Sequence, residues 1–470
     1  MTTTTTLAAP ATPALSRAGL ATVLLGAALA PIDMFIVNVA LPTIHSDLKT
    51  STTALEWIVA GYAIAYALLL VVGGRLGDAF GRRRLFTAGL AAFTLTSLVC
   101  GLAPDATVLV AARVAQGGAA AMMVPQVLSI IQATTSGEQR ARTLGYYGAT
   151  GGIAMVIGQL FGGVLVSADI GGTSWRPVFL VNVPIGLLGL LLARRTLPET
   201  HATDPVGVDR AGTALLGLTL LTLLVPLMEG RTLGWPLWCW LVLAAFPFAA
   251  TAFVRAERRM EQAGGAPLLP MSVLRVPSMR HGLGIAIPFF TSFGGFMFVY
   301  ALTLQDGLHL GPLGSGLALT PLALAFLVTS LSSSRLVRRY GHRVVILGTT
   351  VQLLGLLTLI ATVLMAWPNL DVADLAPGTL LCGAGQGLTA PTMFRLILSR
   401  VPAASAGVGS GVLTTTQQTS LALGVATLGS LFASLATGGL EGALLTVTGV
   451  QALLIAGIAA TANRLPDPRA

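Results

Sequence analysis

An aspartate lies inside an apolar stretch of the sequence. Asp33 stands in the run ALAPIDMFIVNVALP (residues 28–42), which otherwise suits a hydrocarbon environment, and Arg113 lies in a second apolar run, LVAARVAQGGAAAMMVP. An ionisable side chain within a membrane-spanning segment is costly and by default marks a functional site with a partner. A buried carboxylate beside a guanidinium can be placed so that it gains and loses a proton near working pH. We therefore predict that Asp33 and Arg113 couple proton movement to the work of the protein.

The composition supports a membrane environment for these two charges. Of 470 residues, 54% are hydrophobic and only 10% are charged, with a mean hydropathy of +0.82. A soluble protein carries charge on about a quarter of its residues. The three cysteines, Cys100, Cys239 and Cys382, lie in apolar segments, where we expect packing roles rather than disulfides or metal ligands.

Fourteen apolar segments meet the length requirement of about 20 residues for a membrane-spanning helix. The sequence thus predicts an all-α membrane protein. The predicted spans are 18–41, 54–74, 85–103, 106–133, 141–167, 176–193, 211–228, 235–254, 281–304, 313–334, 344–366, 373–398, 407–435 and 442–462.

The basic residues predict the orientation of these helices. With the N-terminus inside, 22 of the 27 basic residues fall in loops or tails on the inner side, and only Lys49, Arg176 and Arg231 fall outside. This distribution follows the positive-inside rule. It predicts a multi-pass protein of the cell inner (plasma) membrane with both termini in the cytoplasm. Membrane topology also explains the formal net charge of +9, so we predict no nucleic-acid partner.

Two loop sequences indicate an internal repeat. Residues 74–86 (GRLGDAFGRRRLF) and 334–346 (SRLVRRYGHRVVI) are identical at four positions, at a constant offset of 260 residues. Predicted helices 1–6 and 9–14 would then be parallel repeats, as in many secondary transporters, with helices 7 and 8 inserted as a hairpin. The predicted organisation is a disordered cytoplasmic tail (1–17), a six-helix bundle (18–195), the inserted hairpin (196–260), a cytoplasmic loop (261–280), a second six-helix bundle (281–462) and a cytoplasmic tail (463–470).

The first of these loops is similar to the loop signature of the major facilitator superfamily. The run PIDMFIVNVALP also resembles the signature of its fourteen-helix drug:proton antiporters. The resemblance covers nearly the whole chain and implies a major facilitator fold of two six-helix bundles plus an inserted two-helix hairpin. It also implies a conformational latch that holds the two halves in the outward-facing state. The latch residues are Gly74, Asp78, Gly81, Arg82 and Arg83, of which Gly74, together with Gly77, would let neighbouring helices approach.

A segment of the fifth predicted helix resembles the antiporter motif of the same family. The matching residues are Gly158, Gln159, Gly162 and Gly163. Gln159 stands where the family has proline, while the small residues that permit close helix packing are retained. This departure leaves both export and uptake open as directions of transport.

A central cavity lined by apolar, aromatic and a few polar side chains would suit a small-molecule ligand. The candidate lining residues are Asn38, Tyr62, Tyr66, Gln126, Phe289, Phe293, Tyr300 and Gln417.

Taken with the resemblance, these residues predict a secondary active transporter that exports lipophilic, often cationic, drugs, dyes or antibiotics in exchange for protons. The predicted protein is a monomer that uses the proton motive force, with no cofactor, metal or catalytic residue. Two alternatives stay open: a proton symporter that imports a small organic nutrient, and a dedicated exporter of one self-made metabolite. Asp33 is the only acid predicted to lie deep in the bilayer. Glu56 and Asp306 are predicted near outer helix ends, and their participation stays open.

Overall fold

A computed structural model describes residues 15–200, 207, 209–401, 406–462 and 465. Within these ranges the chain is helical and forms no strand. Thirteen helices are long and apolar enough to cross a membrane. A further helix of 27 residues, Val372–Leu398, packs among them and completes the predicted set of fourteen.

The helices, numbered α1 to α14 in chain order, alternate in direction between short connections. Helix α6 is broken after Leu180, and α13 passes through a π-helical turn, Val425–Gly429. The bounds are α1 Arg17–Leu48, α2 Thr52–Phe80, α3 Arg82–Gly101, α4 Ala106–Thr134, α5 Gly137–Ser167, α6 Pro177–Leu180 and Asn182–Thr196, α7 Arg210–Glu229, α8 Leu237–Gln262, α9 Pro277–Leu302, α10 Pro312–Tyr340, α11 Arg343–Ala366, α12 Val372–Leu398, α13 Ala406–Gly424 continued by Ser430–Leu435, and α14 Leu440–Thr461.

The first and last six helices pack in the same pattern. Helix α4 packs against α2 and α3, and α1 packs against α5. In the second half, α12 packs against α10 and α11, and α9 packs against α13. The contacts between the halves repeat the same symmetry, because α5 meets α10 and α2 meets α13. This arrangement is what a parallel structural repeat produces.

The α7–α8 hairpin lies against α2 of the first half. At one end, the guanidinium of Arg75 donates to the carbonyl oxygens of Gly207 and Ala266, at 2.9 and 2.8 Å, and to that of Pro267. The same end of the molecule carries the Arg82–Arg84 cluster. We call it the arginine-rich side, and we call the end with the α1–α2, α5–α6 and α9–α10 connections the arginine-poor side.

The two halves are joined by hydrogen bonds near the arginine-poor side. The backbone N–H of Leu313 donates to the Ser167 hydroxyl at 2.9 Å, which ties α10 to α5. The amide of Gln305 donates to the carbonyl of Val39 at 2.7 Å, which ties the end of α9 to α1. The molecule is therefore closed at the arginine-poor side in this conformation.

Part of the predicted N-terminal tail is ordered. Leu15 is buried, and its N–H donates to the carbonyl of Thr134 at 3.5 Å. The Ser16 hydroxyl caps α1 by accepting from the N–H of Gly19 at 3.0 Å. The prediction of disorder was thus wrong for residues 15–17, because a side-chain cap and apolar burial fix them, while residues 1–14 lie outside the described residues. Of the predicted C-terminal tail, only the buried Leu465 is described.

Glycines allow α2 and α4 to approach each other. A Cβ atom at Gly73 would lie 2.0 Å from the carbonyl oxygen of Ala121, and one at Gly77 would lie 1.9 Å from Oε1 of Gln126. At Gly74, the nearest atom would be 3.8 Å away, which is ordinary contact. The close approach expected at Gly74 and Gly77 is therefore confirmed at Gly77, but its other point is Gly73, because Gly74 is turned away from the crowded face.

We predict that Gly73→Ala destabilises the protein. The added methyl must push apart two backbones, and overpacking of this kind costs about 1–3 kcal/mol. The apparent melting temperature of the purified protein in detergent should fall. Gly457→Ala is the matched control, because nothing lies within 4 Å of its Cβ position. Equal melting temperatures for the two variants would contradict the close approach.

Candidate functional site

The Asp33 carboxylate lies at the centre of a buried network in the first half. Asp33 in α1 and Arg113 in α4 are 0% and 1% exposed, and Nη1 of Arg113 lies 2.5 Å from Oδ2 of Asp33. The other carboxylate oxygen, Oδ1, accepts from the side-chain amides of Gln116 and Asn182, each at 2.9 Å. The predicted proximity of Asp33 and Arg113 is confirmed. One carboxylate thus connects α1, α4 and α6.

Arg113 is held in place by more than its ion pair. Its Nε donates to the carbonyl of Ile58 in α2 at 3.0 Å, and Nη1 donates to Oε1 of Gln116 at 2.7 Å. The guanidinium carbon lies 4.3 Å from the centre of the Tyr62 ring. A cation over an aromatic face is attracted by the ring quadrupole. Arg113 therefore ties α2 to the carboxylate on α1.

Helix α3 supplies a second layer of the network. The Ser97 hydroxyl accepts from the amide of Gln116 at 2.8 Å and from that of Asn182 at 3.4 Å. The Cys100 thiol lies 3.7 Å from Oε1 of Gln116. These contacts orient the two amides so that their N–H groups face Asp33.

This arrangement allows a simple proton chemistry. A charged carboxylate accepts all three N–H donors, whereas a protonated one loses its attraction to Arg113 and gives up one acceptor position. Gaining a proton therefore weakens contacts that join α1, α4 and α6. A proton at Asp33 can in this way change how the helices of the first half pack.

The predicted latch residues lie at the arginine-rich side of the first half. Asp78 at the end of α2 accepts from Arg82, the first residue of α3, at 2.9 Å, and Arg83 pairs with Glu199 at 3.3 Å. Gly81 has φ +105°, which confirms the tight turn expected there. These contacts of Asp78 lie within the first half. The outward-facing latch stays a prediction, since this conformation is closed at the opposite side.

The antiporter-motif residues lie on two faces of α5. Gly158 and Gly162 face α1: their Cβ positions would lie 2.6 Å from Cβ of Phe35 and 3.1 Å from the carbonyl of Ile36. Gly163 faces α10, where its Cβ would lie 2.9 Å from the carbonyl of Pro312. Gln159 is buried, and its amide points to the sulfur of Met297 in α9 at 3.7 Å. The segment therefore lies between α1 and the second half.

The predicted cavity residues of the first half are all buried but do not form one group. Tyr62 and Tyr66 pack edge to face at 6.1 Å, beside Arg113. Asn38 donates to the carbonyl of Met34 in its own helix. Gln126 lies between α2 and α4 and donates to the carbonyl of Gly73 at 2.8 Å, so it acts there as a helix-packing residue.

The predicted cavity residues of the second half lie on α9 and α13. Phe293 packs edge-on against Phe35 of α1 at 6.2 Å, which is a contact between the halves. Phe289 packs edge-on against Phe290, and Tyr300 stacks on Phe296 at 4.2 Å. Gln417 on α13 is half-buried. A substrate role for these residues stays a prediction.

A separate recess is lined by none of the eight predicted cavity residues. It has a volume of about 700 Å³ and opens between α2, α4 and α7, with apolar lining from Trp57, Leu68, Val72, Val114 and Leu221. Its position at the membrane-facing edge of α2 and α4 suits apolar chains rather than a central substrate.

Sequence reasoning missed two kinds of residue. Asn182 bonds to Asp33, although the two residues are 149 positions apart along the chain. The only signal in the sequence was the place of Asn182 in the apolar run WRPVFLVNVPIG, residues 175–186. Glu56 and Glu257 are fully buried, which their places in the sequence did not indicate; the expectation that Asp33 is the only acid deep in the bilayer concerns depth and stays a prediction. Both lie near helix ends, where hydropathy indicates solvent, but neighbouring helices cover them.

Comparison with known proteins shows the family to which the chain belongs. A sequence model of the Major Facilitator Superfamily matches residues 23–425. The chain belongs to the Major Facilitator Superfamily. The fold agrees: a crystal structure of a POT family transporter in complex with 5-aminolevulinic acid superimposes with a TM-score of 0.71 over 96% of this chain and 98% of that chain, at 14% identity. The predicted major facilitator fold is thereby confirmed, and the protein is a multi-pass membrane transporter of small molecules.

Two curated superfamily members are similar over most of their length. The "Probable actinorhodin transporter" of Streptomyces coelicolor is 38% identical over 412 residues, which cover 87% of this chain and 71% of that protein. The "Multidrug resistance protein Stp" of Mycobacterium tuberculosis is 31% identical over 413 residues, covering 87% of this chain and 74% of that protein.

We predict that Arg113→Met strongly destabilises this superfamily member. It leaves the Asp33 carboxylate buried without its cation, and breaking a buried ion pair costs about 3–5 kcal/mol. The double variant Asp33→Asn/Arg113→Met removes both charges and should recover most of the loss. Thermal unfolding in detergent measures both. An equal loss in the single and double variants would show that the ion pair is not the source.

Proposed function

We propose that this transporter exports lipophilic antibiotics, drugs or dyes, often cationic, in exchange for protons. The observation that carries the proposal is the fully buried Asp33 carboxylate, which two side-chain amides and one guanidinium hold between α1, α4 and α6. A proton-coupling role accounts for the cost of this ion in a membrane-spanning half. We propose a monomer with the arginine-rich side and both termini in the cytoplasm.

The proposed cycle uses the closed arginine-poor side. In this conformation, substrate enters from the cytoplasm while Asp33 is charged and bound to Arg113. Rocking of the halves then opens the arginine-poor side, and a proton from outside reaches Asp33 as substrate leaves. Protonation weakens the hold of Arg113, Gln116 and Asn182, so that the halves return. The proton leaves to the cytoplasm when Asp33 pairs again with Arg113.

The proton motive force is sufficient for this work. One charge that crosses the membrane is worth about 2.3 kcal/mol per 100 mV. A tenfold concentration gradient of a neutral substrate corresponds to about 1.4 kcal/mol. One proton per cycle therefore supports the accumulation of a neutral substrate outside the cell without ATP. For a monovalent cationic substrate the exchange moves no net charge, so the pH gradient supplies the driving force.

The similar proteins favour export over import. One is named for multidrug resistance, which supports a broad range of lipophilic substrates. The other is named as a transporter of a single compound, actinorhodin. The second name supports one further candidate, a dedicated exporter of one metabolite. A susceptibility panel in a host without its own pumps separates the two, because only the broad exporter protects against several unrelated compounds.

We predict that Asp33→Asn abolishes proton-driven efflux. The amide cannot carry the proton, so ethidium efflux from proteoliposomes under an imposed pH gradient should fall at least tenfold. The double variant Asp33→Asn/Arg113→Met should show the same loss without an unpaired guanidinium. Glu441→Gln on α14 is the control that keeps full efflux. Unchanged efflux in both Asp33 variants would remove Asp33 from the mechanism.

We predict that the arginine-poor side faces the exterior. A cysteine at the exposed Ser46 should react with a membrane-impermeant maleimide added to whole cells. A cysteine at the exposed Arg258 on the arginine-rich side should react only after permeabilisation, while the three native cysteines are buried. The reverse labelling pattern would overturn the proposed orientation and, with it, the direction of the cycle.

A further inference from the structure

A second carboxylate is buried where the two halves meet. Glu56 is the fifth residue of α2 and is 0% exposed. It is close to the arginine-poor side, at the place where α2 of the first half, α7 of the hairpin and α13 of the second half come together. Glu56 takes no part in the Asp33 network.

The contacts of Glu56 cross the boundary between the halves. The Ser430 hydroxyl of α13 lies 3.3 Å from both carboxylate oxygens of Glu56, and it also lies 3.2 Å from the carbonyl of Leu227 in α7. Ser430 directly follows the π-helical turn Val425–Gly429. Such turns are rare and occur frequently at functional sites. The turn sets the backbone of α13 beside Glu56.

Two charged groups act on Glu56 from the hairpin. They are Arg231, in the α7–α8 connection, and Glu229, at the end of α7. Glu229 accepts from the indole N–H of Trp57 at 2.7 Å, so a second acid is held beside the first. In the described part of the chain, no basic nitrogen lies within ion-pairing distance of Glu56. From α13 it receives the hydroxyl of Ser430 and no charge.

The closed conformation therefore disfavours the ionised form of Glu56. Burying a carboxylate without a paired cation costs several kcal/mol, and the group takes up a proton instead. One hydroxyl, which is shared with the carbonyl of Leu227, does not replace a cation. When α2 and α13 separate, water reaches the side chain and the ionised form becomes favourable again.

We propose that Glu56 is a proton-binding residue that locks the arginine-poor side: the halves close there when Glu56 is protonated and open when it has lost its proton. The proposal deepens the proposed antiport, because it adds a second proton site beside Asp33. It rests on the proposed function only for the direction of proton flow. The pH-dependent closure itself follows from the position of Glu56.

The sign of the pH effect follows from the burial. Protons bind more tightly to the closed state, so closure is favoured at low pH and is lost as the pH rises. A single linked proton changes the closed-to-open ratio by at most about tenfold per pH unit. If the arginine-poor side faces the exterior, Glu56 takes up a proton from the external solution while that side is open. The protonated side chain then favours closure of the same side.

Double electron–electron resonance on the purified, reconstituted protein tests the proposal. Spin labels on cysteines at the exposed Ser46, in the last turns of α1, and the exposed Ser434, on α13, report the separation of the halves. The three buried native cysteines are replaced by alanine. The distance distribution is recorded between pH 5 and pH 8 in the natural sequence, in Glu56→Gln, in Glu56→Leu and in the matched control Glu441→Gln.

We expect the natural sequence and Glu441→Gln to gain a longer distance as the pH rises. Glu56→Gln mimics the protonated acid and should show the short distance at every pH. Glu56→Leu suits the apolar junction and should do the same, so either variant suffices if the other does not fold. No shift in the natural sequence, or a shift that persists in the Glu56 variants, overturns the proposal.

Transport measured on the same samples separates this inference from the proposed function. If Glu56 does not lock the arginine-poor side, ethidium efflux still depends on Asp33 while the Glu56 variants keep the pH-dependent shift. If export itself is wrong, ethidium efflux is absent in every sample, and the distance shift still depends on Glu56.

Discussion

The first half of this transporter is organised around one desolvated ion. The Asp33 side chain is fully buried, so its charge must be satisfied by the protein around it. Four helices meet that requirement, since α4 supplies Arg113 and Gln116, α6 supplies Asn182, and α2 and α3 hold these donors in place. Because the network joins five of the six helices of this half, a single proton is able to alter the packing of all five.

The same constraint accounts for the positions of the small residues. Helices that share a polar network must lie close together. In lipid there is no hydrophobic driving force between helices, and small residues at the interface allow their backbones to approach. Gly73 brings α2 to α4, and Gly158 brings α1 to α5. Gly163 then continues the close packing across to α10 of the second half. The glycines of the motifs therefore connect the buried charge to the interface that must rock.

Glu56 extends this logic to the boundary between the halves. Asp33 has a cation and two amides as partners. Glu56 has the shared hydroxyl of Ser430, so burial favours its neutral form. Two carboxylates in one transporter thus have different surroundings, and their partners rather than their residue type make the difference. The hairpin also has a place in this scheme, since α7 completes the junction around Glu56.

The sequence by itself determined the number of helices, the repeat and the two buried charges of α1 and α4. A helix that crosses the hydrocarbon core needs a long apolar segment, so a charged residue within such a segment is easily recognised. It could not determine that Asn182 meets Asp33 or that Glu56 is covered by α13. Those contacts join residues 149 and 374 positions apart. Hydropathy reports whether each segment prefers hydrocarbon or water. Which helix covers a given side chain depends on how the helices pack together.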